Sequence, residues 1–174
     1  MNKTAAAFAM MMALVTMPVF SQTALKEYKV GHVFNVSLPE YMNKTAGLNS
    51  AASIQFKNTV KDVAGFIIED NKEELRLAEM TYGSITEFYD DFIKDFLKDE
   101  VKKISKPLSK KVGKTNFIET DIIYLETESK IELYYFVGIV ETPTAFYKIL
   151  CWSTAENKDK FKSDFQKILY SLKD

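Results

Sequence analysis

Three consecutive segments in the second half of the chain are apolar on both alternating parities, and this limits the fold more than any other feature. Thr115 to Glu126 turns through Thr127 to Lys130 into Ile131 to Glu141, and Thr142-Pro143-Thr144 leads into Ala145 to Ser153. With the first turn centred on Glu128-Ser129, Ile118, Thr120, Ile122 and Tyr124 share a face with Leu133, Tyr135, Val137 and Ile139. The next strand, in either of two plausible registers of its turn, adds Phe146, Lys148, Leu150 and Trp152 to that face. The opposite face takes Phe117, Ile123, Leu125, Tyr134, Phe136, Tyr147, Ile149 and Cys151. An antiparallel sheet with one wet face alternates apolar with polar residues, so this meander needs cover on both sides.

Two amphipathic helices can supply that cover. Ser84-Ile85-Thr86-Glu87 is a capping box, and Ile85, Phe88, Tyr89, Phe92, Ile93, Phe96, Leu97 and Val101 follow at spacings of three and four. That pattern predicts a helix of about 18 residues with an aromatic stripe. Ser153-Thr154-Ala155-Glu156 offers a second cap, ahead of a stripe formed by Phe161, Phe165, Ile168, Leu169 and Leu172. Upstream, Tyr28 to Leu38 alternates as a strand stopped by Pro39, and Ala52 to Lys57 and Val63 to Glu69 read as two short strands. Tyr41 to Ser50 reads as loop or a short helical turn, and Lys72 to Met80 as a short helix or an extended connection. The prediction is an α+β fold, an antiparallel β-sheet of about six strands with helices packed on both faces.

The first residues stand apart from this domain. Met1-Asn2-Lys3-Thr4 is short and basic, Ala5 to Val15 is uncharged and apolar, and Val19 and Ser21 put small residues at the −3 and −1 positions of a cleavage site. Residues 1–21 are predicted to be a signal peptide cut between Ser21 and Gln22, leaving 22–174 as a single domain. Extended to Phe20 the apolar run is 16 residues, interrupted by Thr16 and Pro18, and is shorter than the ~20 residues a membrane span needs. The sole cysteine, Cys151, lies far from the cleavage point, which excludes a lipid anchor there. No second hydrophobic span follows, so the expected product is exported, periplasmic or extracellular, with no transmembrane span in the mature chain.

Composition narrows the chemistry. With 23 basic and 24 acidic residues the chain has no basic field for nucleic acid. One Cys permits no internal disulfide or cysteine-cluster zinc site, and one His permits no multi-histidine metal centre. Neither a metal nor a cofactor is expected, and no catalytic residue is assigned. His32 shares the parity of Val30, Phe34, Val36 and Leu38, with no partner nearby in the sequence to make it a base. Cys151, between Leu150 and Trp152 in a strand, reads as a small buried hydrophobe. Glu87, Asp91, Asp95 and Asp99 recur every four residues with Lys94 and Lys98 interleaved, which reads as a solvated helix face. Glu119 and Asp121 read the same way on their strand. Lys102, Lys103, Lys106, Lys110, Lys111 and Lys114 read as a polar loop and a lysine-protected edge strand. Lys148 is the exception. It sits on an apolar face between Phe146 and Leu150, either snorkelling to an edge or anchoring a ligand in a cleft between helix and sheet.

The order of elements resembles the PsbP-like superfamily. Tyr28 through Pro39 is similar to that family's first strand with its closing Leu-Pro step. Phe146 through Trp152, then Phe161, Phe165 and Ile168-Leu169-Tyr170-Ser171-Leu172-Lys173, is similar to its last strand and closing helix. The resemblance implies a central antiparallel sheet with helices on both faces, in line with bacterial exported members of unassigned activity. It does not imply an activity, since one fold hosts many functions. The leading functional expectation is an exported, non-enzymatic binding or assembly module of the bacterial cell envelope, its partner an envelope protein or small ligand. A second reading is a small-ligand carrier whose aromatic cleft is lined by Tyr134, Phe136 and Tyr147. A third, a hydrolase built on His32 or the acidic helix, lacks a partner group for either.

Overall fold

The computed structural model describes residues 23–31, 33–96, 98 and 102–174. Its strands are β1 (Leu25–Val30), β2 (Phe34–Pro39), β3 (Asn43–Lys44), β4 (Ile54–Asn58), β5 (Val63–Asn71), β6 (Lys102–Ile104), β7 (Leu108–Val112), β8 (Thr115–Leu125), β9 (Glu132–Glu141) and β10 (Ala145–Thr154). Its helices are α1 (Lys72–Leu77), α2 (Ile85–Asp95) and α3 (Lys158–Ser171).

The first hairpin of the meander forms in the register set by a turn centred on Glu128-Ser129, and β10 adopts one of the two registers open to it. Ile118 pairs with Ile139, Thr120 with Val137, Ile122 with Tyr135 and Tyr124 with Leu133. Lys148 then falls opposite Ile139, Leu150 opposite Val137 and Trp152 opposite Tyr135. All pairings are antiparallel, in the order β3-β4-β5-β10-β9-β8-β6, with β7 also on β8. The sheet therefore has eight strands rather than about six. The segment predicted as a strand from Tyr28 to Leu38 leaves this sheet to form a separate two-stranded one, β1–β2. Three strands are added at the margins: β3 is a two-residue stub, and β6 and β7 share the outer edge of β8 end to end, separated by Ser105-Lys106-Pro107.

Both faces are covered. On one, α3 lays Phe161, Phe165, Ile168 and Leu169 over Tyr134, Phe136, Tyr147, Ile149 and Cys151. Gly138 makes room for this approach, since a Cβ there would lie 2.7 Å from Leu169 Cδ1. The β1–β2 hairpin flanks α3 and buries Phe34, Val36 and Leu38 in the same core. Asn35 and Lys173 exchange backbone hydrogen bonds, and Ser37 N donates to Ser171 Oγ at 2.8 Å. The sequence suggests a single strand from Tyr28 to Leu38. The chain instead reverses at Gly31, whose φ of 57° suits a residue without a Cβ.

On the other face α2 packs Ile85, Phe88 and Tyr89 on Ile118, Ile139 and Phe146. Phe88 stacks on Phe146 with ring centroids 4.4 Å apart. Ser84 caps the helix, accepting from Glu87 N at 3.2 Å, while Glu87 accepts from Gly83 N at 2.7 Å. The helix has 11 residues, not about 18, because Phe96 turns to an extended conformation (φ −69°, ψ 119°) and packs its ring edge-on against Tyr135. Leu97, Asp99 and Val101 lie outside the described residues. The predicted cap at Ser153 is also displaced: β10 continues through Thr154, and a 3-10 turn at Ala155–Asn157 leads into α3.

Candidate functional site

The α2 face of the sheet is filled at one end and hollow at the other. Lys148 on β10 and Asp70 on β5 form the floor of the hollow, with Lys148 Nζ 2.9 Å from Asp70 Oδ2. That buried oxygen accepts no well-directed hydrogen bond, so the contact is held by charge. The ammonium lies 5.7 Å from the Phe88 ring centroid and 6.0 Å from that of Phe92. Helical spacing places Phe88, Asp91, Phe92 and Asp95 along the side of α2 that overhangs the sheet, and Phe96 closes one end.

Leu75 of α1 and the connection carrying Met80 and Tyr82 complete the rim. Tyr82 wedges between the helix and the sheet, edge-on to Phe88 at 5.0 Å and to Phe146 at 6.0 Å. Its hydroxyl donates to Asp91 Oδ2 at 2.8 Å. Desolvation, with this hydrogen bond and the carboxylate charge, pushes the phenol up to about 12, so it remains a donor at neutral pH. The cleft encloses about 390 Å³, within the range of small-molecule sites. A hollow of about 170 Å³ on the far side of Tyr82 is bordered by Lys72 and Arg76. Both cations there are engaged, Lys72 with Glu141 at 2.9 Å and Arg76 with Glu73 at 2.6 Å.

Of the residues singled out from sequence, Lys148 lies in this cleft. Tyr134, Phe136 and Tyr147 do not: all three are fully buried under α3 on the opposite face, so the aromatic cleft expected around them is solid core. His32, Ser21 and Gln22 lie outside the described residues. Cys151 is buried, and desolvation raises its thiol pKa far above the usual range, which keeps it protonated and unreactive.

Glu119 and Asp121 correct the reading of a solvated strand. They are buried beneath α3, where Gln166 and Tyr170 donate to Glu119 and Tyr134 donates to Asp121. Lys162 and Lys158 approach Asp121 at 2.6 and 3.0 Å. Burial alone would raise the Asp121 pKa; its hydrogen bonds to Lys162, Tyr134 and Lys158 prevail and hold it below the ordinary value. The described acids of the α2 series diverge. Glu87 turns to the Gly83 amide, Asp91 to Tyr82, and Asp95 toward Lys98 at 3.9 Å. Among the described residues no group of three or more metal-ligating side chains converges. The lysine run falls largely on β6 and β7, and every residue of β7 is exposed at the sheet edge.

Sequence reasoning missed Asp70, Tyr82 and the cleft-facing role of the α2 acids. A signal for Asp70 was present: a lysine inside an apolar strand calls for a counter-charge on the neighbouring strand. Chemically, the cleft offers aromatic and aliphatic walls, an internally neutralised ion pair and two rim carboxylates. That equipment suits binding.

No protein-family model matches the chain, and no curated protein matches it. Among solved structures, the solution structure of cyanobacterial PsbP (CyanoP) from Synechocystis sp. PCC 6803 aligns with a TM-score of 0.65 at 12% identity, covering 92% of this chain and 98% of that one. The crystal structure of LpqN, described as involved in cell envelope biogenesis of Mycobacterium tuberculosis, aligns with a TM-score of 0.59 at 11% identity, covering 85% and 90%. The sheet with helices on both faces is thus a PsbP-like fold.

Proposed function

We propose that this chain is an exported, non-enzymatic binding module of the bacterial cell envelope, released by removal of residues 1–21, and that the Lys148–Asp70 cleft is its recognition site. The observation that carries the reading is the cleft: a lysine and an aspartate sit in a largely apolar sheet face, under a helix that leaves them partly accessible rather than covering them. The basic, apolar and small-residue pattern of the first 21 positions supports export. A PsbP-like neighbour described as involved in envelope biogenesis supports the setting. Among the described residues no helix is long and apolar enough to cross a membrane. The volume of about 390 Å³ favours a small ligand over a partner's folded surface, which moves the carrier reading from Tyr134, Phe136 and Tyr147 to the α2 side of the sheet.

Native mass spectrometry of the freshly purified exported protein tests both parts. The expected product begins at Gln22 and carries an adduct that Met80→Trp, which fills the cleft, abolishes. A product retaining Met1 to Ser21 would refute processing. A clean apo mass, or an adduct indifferent to Met80→Trp, would refute the cleft as the recognition site.

A further inference from the structure

The charges around the cleft identify a ligand class. We infer that it binds a small amphipathic cation, an alkyl or aromatic group bearing an ammonium-like charge; this rests on the cleft being the binding site. Leu75, Met80, Phe88, Phe92 and Phe96 form walls against which an apolar group of modest size fits. Three carboxylates, Asp70, Asp91 and Asp95, line the same space as one ammonium, Lys148. Asp70 and Lys148 neutralise each other at 2.9 Å. Asp91 accepts the Tyr82 hydroxyl and has no ion pair among the described residues. Asp95 has Lys98 at 3.9 Å, with both side chains mostly in water (73% and 66% exposed), where such a contact is weak.

The surplus charge at the rim is therefore negative, and it is carried one helical turn apart beside ring faces. An anionic head group entering here meets two carboxylates that no cation compensates closely. A cationic head group gains their attraction. The ring faces on the sheet side are already taken by the Lys148 ammonium, so the cation's place is at the rim beside Asp91 and Asp95, with its apolar group against the walls. A neutral ligand gains only the apolar walls.

Isothermal titration with probes of equal chain length separates these possibilities: decyltrimethylammonium, decyl sulfate and decanol, each below its micellar or solubility limit. The ammonium is expected to bind about tenfold more tightly than the sulfate, a difference that shrinks with added salt. Asp95→Asn, which leaves the Tyr82–Asp91 contact in place, should reduce the preference several-fold. Asp91→Asn with Asp95→Asn should remove most of it while decanol binding persists. Met80→Trp should weaken all three probes. Sulfate binding equal to or tighter than ammonium binding, with both still sensitive to Met80→Trp, would overturn the cationic class and leave the cleft standing. Binding insensitive to Met80→Trp, or no binding of any probe, would overturn the cleft reading and the inference together.

Discussion

Removing the charge of Lys148 tests whether the ion pair under α2 is energetically joined. Lys148→Met keeps most of the apolar stem and leaves the Asp70 carboxylate in the cleft with no counter-charge at 2.9 Å. At that separation the Coulomb attraction is about 6 kcal/mol for an effective dielectric constant of 20 and about 1.4 kcal/mol in water. The two side chains retain 20% and 21% of their exposure, so they sit between those limits, and desolvation of both ions offsets much of the attraction. A coupling energy of about 1–2 kcal/mol follows. Lys148→Met and Asp70→Asn should each destabilise the protein by about 1–3 kcal/mol, since each strands a partner. The double variant should be more stable than the sum of the singles by the coupling energy. Urea unfolding resolves this, because a slope of about 2 kcal/mol per molar makes each single change a midpoint shift of roughly 0.5–1.5 M. Additivity to within about 0.5 kcal/mol would refute the argument that the pair is held by charge.

Two further outcomes follow from the opposite face. Gly65→Ala should cost about 1–3 kcal/mol, and more than Gly138→Ala, by urea unfolding. A Cβ at Gly65 meets Phe56 Cε2 at 2.6 Å and the Leu150 carbonyl oxygen at 2.8 Å, whereas at Gly138 it meets only the movable Leu169 side chain; the reverse order would refute this packing. Asp121, whose pKa is lowered in the fold, contributes stability that is fully present above the unfolded carboxylate pKa of about 4 and is lost as pH falls through the folded value. The stability advantage of the native protein over Asp121→Asn should accordingly be constant near neutrality and shrink below about pH 4; an advantage independent of pH down to 2 would show that Asp121 is not ion-paired.

The first hairpin of the meander was legible to the residue, and the third strand in its faces, because a slip of one position would exchange two populated sets of side chains between faces. Pairing Ile118 with Ile139 needed only the period of two and the placement of the first turn, whereas the second turn allowed two registers, of which the structure adopts the one that sets Lys148 opposite Ile139. The α2 cap was equally legible, since Ser84 and Glu87 act locally. The length of α2 was not: Leu97 and Val101 continue the stripe in sequence, but the tertiary contact of Phe96 with Tyr135 ends the helix first. The cleft was half legible. Lys148 announced itself as a charge in an apolar strand, while its partner Asp70 lies 78 positions earlier and is set only by the pairing of β5 with β10. Tyr134, Phe136 and Tyr147 misled because aromatic residues fill cores and line clefts alike, and period two does not tell which face a helix covers completely.

The β1–β2 hairpin resting on α3 has a consequence for how the chain acquires its structure. Asn35 bonds to Lys173 and Ser37 to Ser171, joining residues more than 130 positions apart, and Phe34, Val36 and Leu38 share one core with Phe165 and Leu169. Closing such distant contacts is slow, because the loop entropy must be surrendered before the contacts form. A growing polypeptide can pair β4 with β5 and β8 with β9 early, yet the hairpin lacks its seat until α3 has been synthesised. The docking of the hairpin on α3 therefore follows the local strand pairings.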